Sequence, residues 1–72
     1  MNEKQTTALA SWHELNKHLN HLSEQDLKEM LVHEAANRRR SDVLTRLHQR
    51  FSAVRAKRER KELLMLGAIV EG

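Results

Sequence analysis

Residues 37–61 read NRRRSDVLTRLHQRFSAVRAKRERK and contain neither proline nor glycine. Their apolar residues recur at the spacing of an α-helix, and Met65 continues the same seam. Ser41 is a candidate N-cap, and the first glycine in the chain is Gly67. The pattern therefore predicts a helix over residues 41–66, about 39 Å long at 1.5 Å per residue. Two shorter helices cannot cover that length, so we expect its second half to project into solvent or to pair with a second copy.

The first of two shorter helical patterns covers residues 7–20. Apolar residues lie four, seven and eleven positions after Ala8, which is the spacing of one helix face. Thr6 or Thr7 is a candidate N-cap for this segment. We therefore predict one continuous helix over this range.

The second pattern covers residues 23–36. Ser23 is suited to cap the amides of the first turn, and Asp26, three residues later, makes a weaker version of a capping box. Asn37 tolerates a left-handed backbone conformation, so we expect the helix to end there.

The composition supports helices throughout, because the chain has no proline and only two glycines, both near its C-terminus. We predict an all-α fold forming one small domain over 1–72. Residues 1–36 form an acidic helical hairpin, 37–61 a basic helix and 62–72 an apolar tail. A core of this size is marginal and there is no cysteine for a disulfide, so we expect a helical dimer. The residues expected in the core or the dimer interface are Trp12, Leu15, Leu19, Leu27, Met30, Leu31, Leu44, Leu47, Phe51 and Val54.

Charge is distributed unevenly along the chain. Residues 1–36 have 3 bases and 6 acids, a net charge of −3, whereas residues 37–61 have 10 bases and 2 acids, a net charge of +8. Residues 62–72 have two acids and no base, a net charge of −2. A basic block between acidic flanks is typical of a polyanion-binding site, although the flanks are also able to neutralise it within the fold or across a dimer.

A helical wheel places five cations beside the apolar stripe of the long helix and within an arc of about 100°: Arg46, Arg50, Lys57, Arg60 and Lys61. Such a helix rests on a core through one side and presents cations on the adjoining side. Eight of the ten bases in residues 37–61 are arginine, which suits bidentate contact with phosphate. We therefore predict binding to DNA or RNA, mainly through the phosphates. The predicted nucleic-acid-binding residues are Arg38, Arg39, Arg40, Arg46, Arg50, Lys57, Arg60 and Lys61.

Two other interpretations of the basic helix remain open. Its charges are also those of a plain solvated face, with Arg55 and Glu59 able to pair along the helix. The arginines also suit docking on an acidic protein surface, such as part of a host's transcription machinery. A helix-turn-helix is disfavoured because the turn lacks glycine and the last helix is too long. Aromatic stacking on single strands is disfavoured because both candidate aromatic residues, Trp12 and Phe51, fit the apolar stripes.

The sequence offers little for catalysis or metal binding. It has no glycine-rich phosphate loop, no cysteine and no Ser, His and acid grouping in a pocket-forming context. The five histidines lack a spacing that gathers ligands around zinc, so we expect them at the surface or at helix boundaries. We predict a non-enzymatic protein with no cofactor and no metal.

The N-terminal and C-terminal segments bear on localisation. No apolar run approaches the roughly 20 residues of a membrane span, and the first ten residues lack the apolar segment of a signal peptide. We therefore expect a cytoplasmic protein without a membrane partner. The tail LLMLGAIVEG, residues 63–72, is expected to turn at Gly67 and fold Ile69 or Val70 back onto the helix, with dimer contact as the alternative.

Residues 43–64, VLTRLHQRFSAVRAKRERKELL, combine Leu-x-x-Leu spacing with the ending RAKRERKELL. This half of the chain resembles small helical proteins encoded by bacteriophages. The resemblance implies an accessory or host-takeover protein of the bacterial cytoplasm, acting as a regulator by binding DNA, RNA or a host protein. It carries no defined site from which functional residues transfer.

Overall fold

A computed structural model describes residues 1–67 and shows helices joined by short connections. The elements are α1 (Glu3–Ala8), α2 (Trp12–His18), a 3₁₀ turn (Leu19–His21), α3 (Glu24–Ala36) and α4 (Ser41–Met65). The all-α prediction is confirmed, and the described part of the chain contains no strand. The prediction of three helices is wrong, because α1 lies mostly before the first predicted helix and the range 7–20 is interrupted between Ala8 and Trp12.

Two capping residues start separate helices in this part of the chain. Asn2 caps α1, where its Oδ1 accepts from the Gln5 amide at 2.9 Å and its own amide donates to Gln5 Oε1 at 2.8 Å. Ser11 caps α2 by accepting from the Glu14 amide at 3.2 Å. The predicted caps Thr6 and Thr7 lie inside α1. A residue that caps a new helix has extended backbone, so Ser11 interrupts the predicted run.

The start of α3 is as predicted. The Asp26 amide donates to Ser23 Oγ and the Ser23 amide donates to Asp26 Oδ2, both at 3.1 Å. The helix ends at Asn37, but Asn37 has φ −117° and is not left-handed. The left-handed residue is Arg39, with φ 54°, and its amide donates to the Glu34 carbonyl at 2.8 Å. The chain therefore reverses two residues later than the sequence indicates.

α4 is the long helix that the sequence predicts, and its 25 residues span about 37 Å of a molecule 42 Å long. Its N-cap is Arg40 rather than the predicted Ser41. The Arg40 side chain accepts no hydrogen bond from the amides of the first turn. Gly67 has φ +72°, so the predicted left-handed turn after α4 is confirmed. The proposed folding back of Ile69 or Val70 lies outside the described residues.

α3 and α4 make the most extensive helix pair and run antiparallel. The connection at residues 37–40 joins them at one end, and an ion pair between Glu24 and Arg58 joins them at the other. The last two turns of α4 therefore extend beyond α3. Exposed apolar side chains on this extension are Leu63, Met65 and Leu66.

The core is filled from all four α-helices and the 3₁₀ turn. Of the predicted core or interface residues, the buried ones are Leu15, Leu19, Leu27, Met30 and Leu47. Those half buried are Leu31, Leu44, Phe51 and Val54. Four further buried apolar residues were not among the predicted core residues: Ala8, which begins the predicted apolar face of residues 7–20, Leu9, Leu22 and Val43.

Trp12 is the predicted core or interface residue that the structure leaves outside the core, since 47% of it is exposed. The break before Ser11 changes the helical phase, so Ala8 and Leu9 enter the core in the place expected for the indole. Trp12 then stands at the first position of α2.

Within residues 1–67, none of the helices combines the length and apolar character that a membrane span requires.

Candidate nucleic-acid interface

Seven of the ten cations of residues 37–61 fall into two groups that differ in their partners. Arg40, Arg55 and Arg58 form ion pairs with carboxylates. Among the described residues, Arg46, Arg50, Lys57 and Lys61 form no ion pair. The difference matters because a cation already bound to a carboxylate must exchange that partner to bind a phosphate.

Arg40 is held by a buried carboxylate. Glu34 is only 1% exposed, and its two oxygens accept from Arg40 Nη2 at 2.8 Å, from Nε at 2.9 Å and from the Arg40 backbone amide at 3.0 Å. Arg40 Nη2 also donates to the Leu9 carbonyl at 2.9 Å. This network ties α1, α3 and the start of α4 together. Arg40 therefore stabilises the fold, and its guanidinium already has protein acceptors.

The same network explains two local features. The Arg40 amide, at the N-cap of α4, donates to the Glu34 side chain, and the Val43 amide in the first turn donates to Asp42 Oδ1. The hydrogen bonds from Arg40 also hold the pKa of Glu34 below its ordinary value, against the opposing effect of burial. Glu34 is therefore ionised at neutral pH although it is buried.

Arg55 and Arg58 lie on the other side of α4 and are neutralised locally. Arg58 Nε donates to Glu24 Oε1 at 2.7 Å and Nη1 donates to Glu62 Oε1 at 3.0 Å, and these bonds raise the pKa of Arg58. Arg55 Nε donates to Glu59 Oε1 at 2.9 Å. Carboxylates of α3 and of α4 itself thus form ion pairs with the two arginines on this side of α4.

Arg46, Arg50, Lys57 and Lys61 define what we call the cationic edge. At about 100° per residue they fall within an arc of about 60°, and they span about 22 Å along the helix axis. Arg46, Lys57 and Lys61 are exposed, and Arg50 is half buried. Arg60 is also exposed and lies about 40° from Arg46 on the same wheel.

The two arginines of the cationic edge are oriented by the fold. Arg46 Nε donates to Asn16 Oδ1 at 3.1 Å, and Asn16 Nδ2 donates to the Trp12 carbonyl at 2.9 Å. Among the described residues, the Nη atoms of Arg46 have no hydrogen-bond partner, so they are available to an anion. Arg50 Nε is buried and has no hydrogen-bond partner within residues 1–67. A buried donor without an acceptor costs free energy that a bound anion near the same guanidinium would offset in part.

Arg38 and Arg39 belong to the connection between α3 and α4 and are exposed. Arg39 Nε donates to the Ala35 carbonyl at 3.0 Å, which turns this side chain back onto the end of α3. Arg38 lines a hollow that also includes Met1 and His33. The structure therefore places these two arginines at the end of α3, apart from the cationic edge.

A groove between α2 and α4 was not indicated by the sequence. It is lined by Trp12, Asn16, Ser41, Asp42, Thr45, Arg46 and Gln49. The missed signal is the sequence SWHE at residues 11–14, which has Ser followed three positions later by Glu and marks a helix start. That signal would have placed Trp12 in the first turn of a separate helix.

The histidines make no metal-binding cluster. His18 Nε2 lies 3.1 Å from Glu14 Oε2 on the same helix. In the part of the chain that the structure describes, no group of three His, Asp or Glu side chains is placed to hold a metal ion.

Comparison with known proteins gives no relative from which a site is transferable. No family model, no curated protein and no solved structure matches the chain.

Proposed function

We propose that the protein is a small non-enzymatic nucleic-acid-binding protein that acts through the cationic edge of α4. The observation that carries this proposal is the separation of charge on one helix. Arg46, Arg50, Lys57 and Lys61 share an edge and pair with no carboxylate of residues 1–67, while acids neutralise the other side. A helix that only needed solubility would not require this separation.

The packing of α4 supports the same proposal. Leu47 is fully buried, and Phe51 and Val54 pack against the core, so the rotation of α4 about its axis is fixed. The backbone positions of the cationic edge are therefore fixed along about 22 Å of the helix. Because these positions do not have to be ordered when a phosphate binds, the entropy cost of binding is lower than on a flexible segment.

The biological setting of the proposal comes from the resemblance to small bacteriophage proteins. We propose an accessory or regulatory protein of the bacterial cytoplasm that binds DNA or RNA with little sequence preference, since phosphate contacts carry no sequence information. A homodimer is part of the proposal, because two copies joined through the exposed apolar end of α4 would present two cationic edges.

The first test is the salt dependence of oligonucleotide binding, measured by fluorescence anisotropy of a labelled strand. Four phosphate contacts predict a slope of log K against log salt of about −2.8 for single strands and about −3.6 for duplex. The affinity should therefore fall about 50- to 150-fold between about 50 and about 200 mM salt.

The opposing result is an affinity that stays flat over this salt range, or no binding at the lowest salt. A protein partner that remains bound after nuclease treatment of a bacterial lysate would then favour the alternative of a host-protein inhibitor. The exposed Leu63, Met65 and Leu66 would be the surface for that partner.

A further inference from the structure

We infer that the groove between α2 and α4 holds an unpaired base of a single-stranded nucleic acid, with the Trp12 indole as the stacking surface. This inference rests on the proposed function and adds the class of nucleic acid. The groove joins the cationic edge through Arg46, which belongs to both.

The exposure of Trp12 is the first step. Burying an aromatic side chain is strongly favourable, yet this chain leaves 47% of its only tryptophan exposed while it buries Ala8 and Leu9. Stacking between a base and an aromatic side chain needs an accessible ring face beside a positively charged path for the backbone. Trp12 and Arg46 line the same groove and therefore supply these two elements side by side.

Asn16 fixes the relation between the stacking surface and the cation. Its side chain accepts from Arg46 Nε at 3.1 Å and donates to the Trp12 carbonyl at 2.9 Å. The Arg46 guanidinium is thereby held to the backbone turn that carries the indole. A phosphate bound at the Nη atoms of Arg46 would place the attached nucleotide at the mouth of the groove.

The remaining lining suits the edge of a base. Ser41, Thr45 and Gln49 provide hydroxyl and amide groups that both donate and accept hydrogen bonds. Asp42 is the only acid of this lining, and its Oδ1 accepts from the Val43 amide at 2.9 Å. A carboxylate accepts from the exocyclic amines of bases but repels a phosphate, so Asp42 favours a base over a phosphate at its end of the groove.

Single strands rather than duplexes fit this arrangement. In a duplex each base is stacked on its neighbours, and exposing it costs a few kcal/mol. An unpaired base carries no such cost and reaches an indole directly. The cationic edge alone would bind either form, so the groove is the feature that distinguishes between them.

Intrinsic fluorescence tests the inference, because Trp12 is the single tryptophan and the chain has no tyrosine. Unlabelled single-stranded oligonucleotide should quench the emission of the full chain, saturating at the concentrations at which anisotropy of the labelled strand saturates. A duplex of the same sequence should bind without comparable quenching. Trp12→Ala should lower single-strand affinity by about 5- to 150-fold, and Trp12→Phe should retain most of it.

Duplex affinity is the matched control, and it should be unchanged in Trp12→Ala since the cationic edge is intact. Circular dichroism should show unchanged helix content, because Trp12 lies outside the core.

Two results would contradict base binding in the groove and leave the proposed function standing. One is salt-dependent binding without quenching of Trp12, and the other is a Trp12→Ala variant that binds single strands with wild-type affinity. If Trp12→Ala instead loses a nuclease-resistant protein partner and keeps its affinity for single strands, the groove is a protein contact and the inference is wrong. Absence of any oligonucleotide binding overturns the proposed function as well.

Discussion

Replacing Arg46, Arg50, Lys57 and Lys61 together by glutamine should remove most of the salt dependence of nucleic-acid binding. Each lost phosphate contact reduces the slope of log K against log salt by about 1. Where the wild type loses about 50- to 150-fold in affinity between about 50 and about 200 mM salt, the fourfold variant should bind weakly throughout and change by less than about twofold. Anisotropy of a labelled oligonucleotide measures both affinities.

The matched control removes the same number of charges elsewhere. Lys17, Lys28, Arg55 and Arg58 are replaced by glutamine, so the net charge falls equally while the cationic edge is kept. Arg55 and Arg58 already pair with acids, and the two lysines lie on α2 and α3. The slope of this control should stay within about 1 of the wild-type slope. Equal loss in both variants would show that net charge, and not the cationic edge, determines binding.

The second large effect concerns the fold and arises at Glu34. Glu34→Ala leaves Arg40 without its buried carboxylate and removes the acceptor of the amide at the start of α4. Breaking one partner of such a buried pair costs about 3 kcal/mol. A chain of 72 residues has a total unfolding free energy of roughly 4–11 kcal/mol. Urea denaturation followed by circular dichroism should therefore show a much earlier midpoint, or a chain that is partly unfolded without urea.

Acid titration provides a second readout for Glu34. Its pKa is lower in the folded chain than in the unfolded chain, so the unfolded state takes up a proton first as the pH falls. The stability contributed by this carboxylate is complete above its unfolded pKa and is lost as the pH falls through the folded pKa. The difference in unfolding free energy between wild type and Glu34→Gln should therefore shrink toward acid pH.

Glu59→Gln is the control for both Glu34 measurements. Glu59 pairs with Arg55 at the surface of α4, and exposed pairs contribute little to stability. Its loss should change the urea midpoint far less than the loss of Glu34. If Glu34→Ala and Glu59→Gln unfold at similar urea concentrations, the buried network does not hold the helices together.

Local sequence signals were sufficient to predict the helix bounds that depend only on residues near in sequence. The long run up to Gly67 predicted α4, and Ser23 with Asp26 predicted the start of α3, because capping and helical periodicity depend on near neighbours. The first helix was misjudged because the apolar spacing across Ala8 and Trp12 outweighed Ser11 as a cap. Because α2 starts anew after Ser11, the residues before it no longer follow the helical periodicity of α2.

The candidate site divides in the same way. Helical periodicity alone places Arg46 and Arg50 on one edge, and the structure keeps them there. The sequence does not show that Glu34 captures Arg40, because this contact depends on how the chain reverses at Arg39. The groove at Trp12 depends on the packing of α2 against α4, which no short stretch of sequence encodes.

Lysine footprinting tests the central claim most directly, because the chain carries lysines on and away from the cationic edge. The protein is acetylated with and without excess oligonucleotide at low salt, and each lysine is quantified by mass spectrometry. We expect nucleic acid to protect Lys57 and Lys61 and to leave Lys17 and Lys28 as reactive as in the free protein. Unchanged reactivity at Lys57 and Lys61, or equal protection of these two and of Lys17 and Lys28, would contradict binding through the cationic edge.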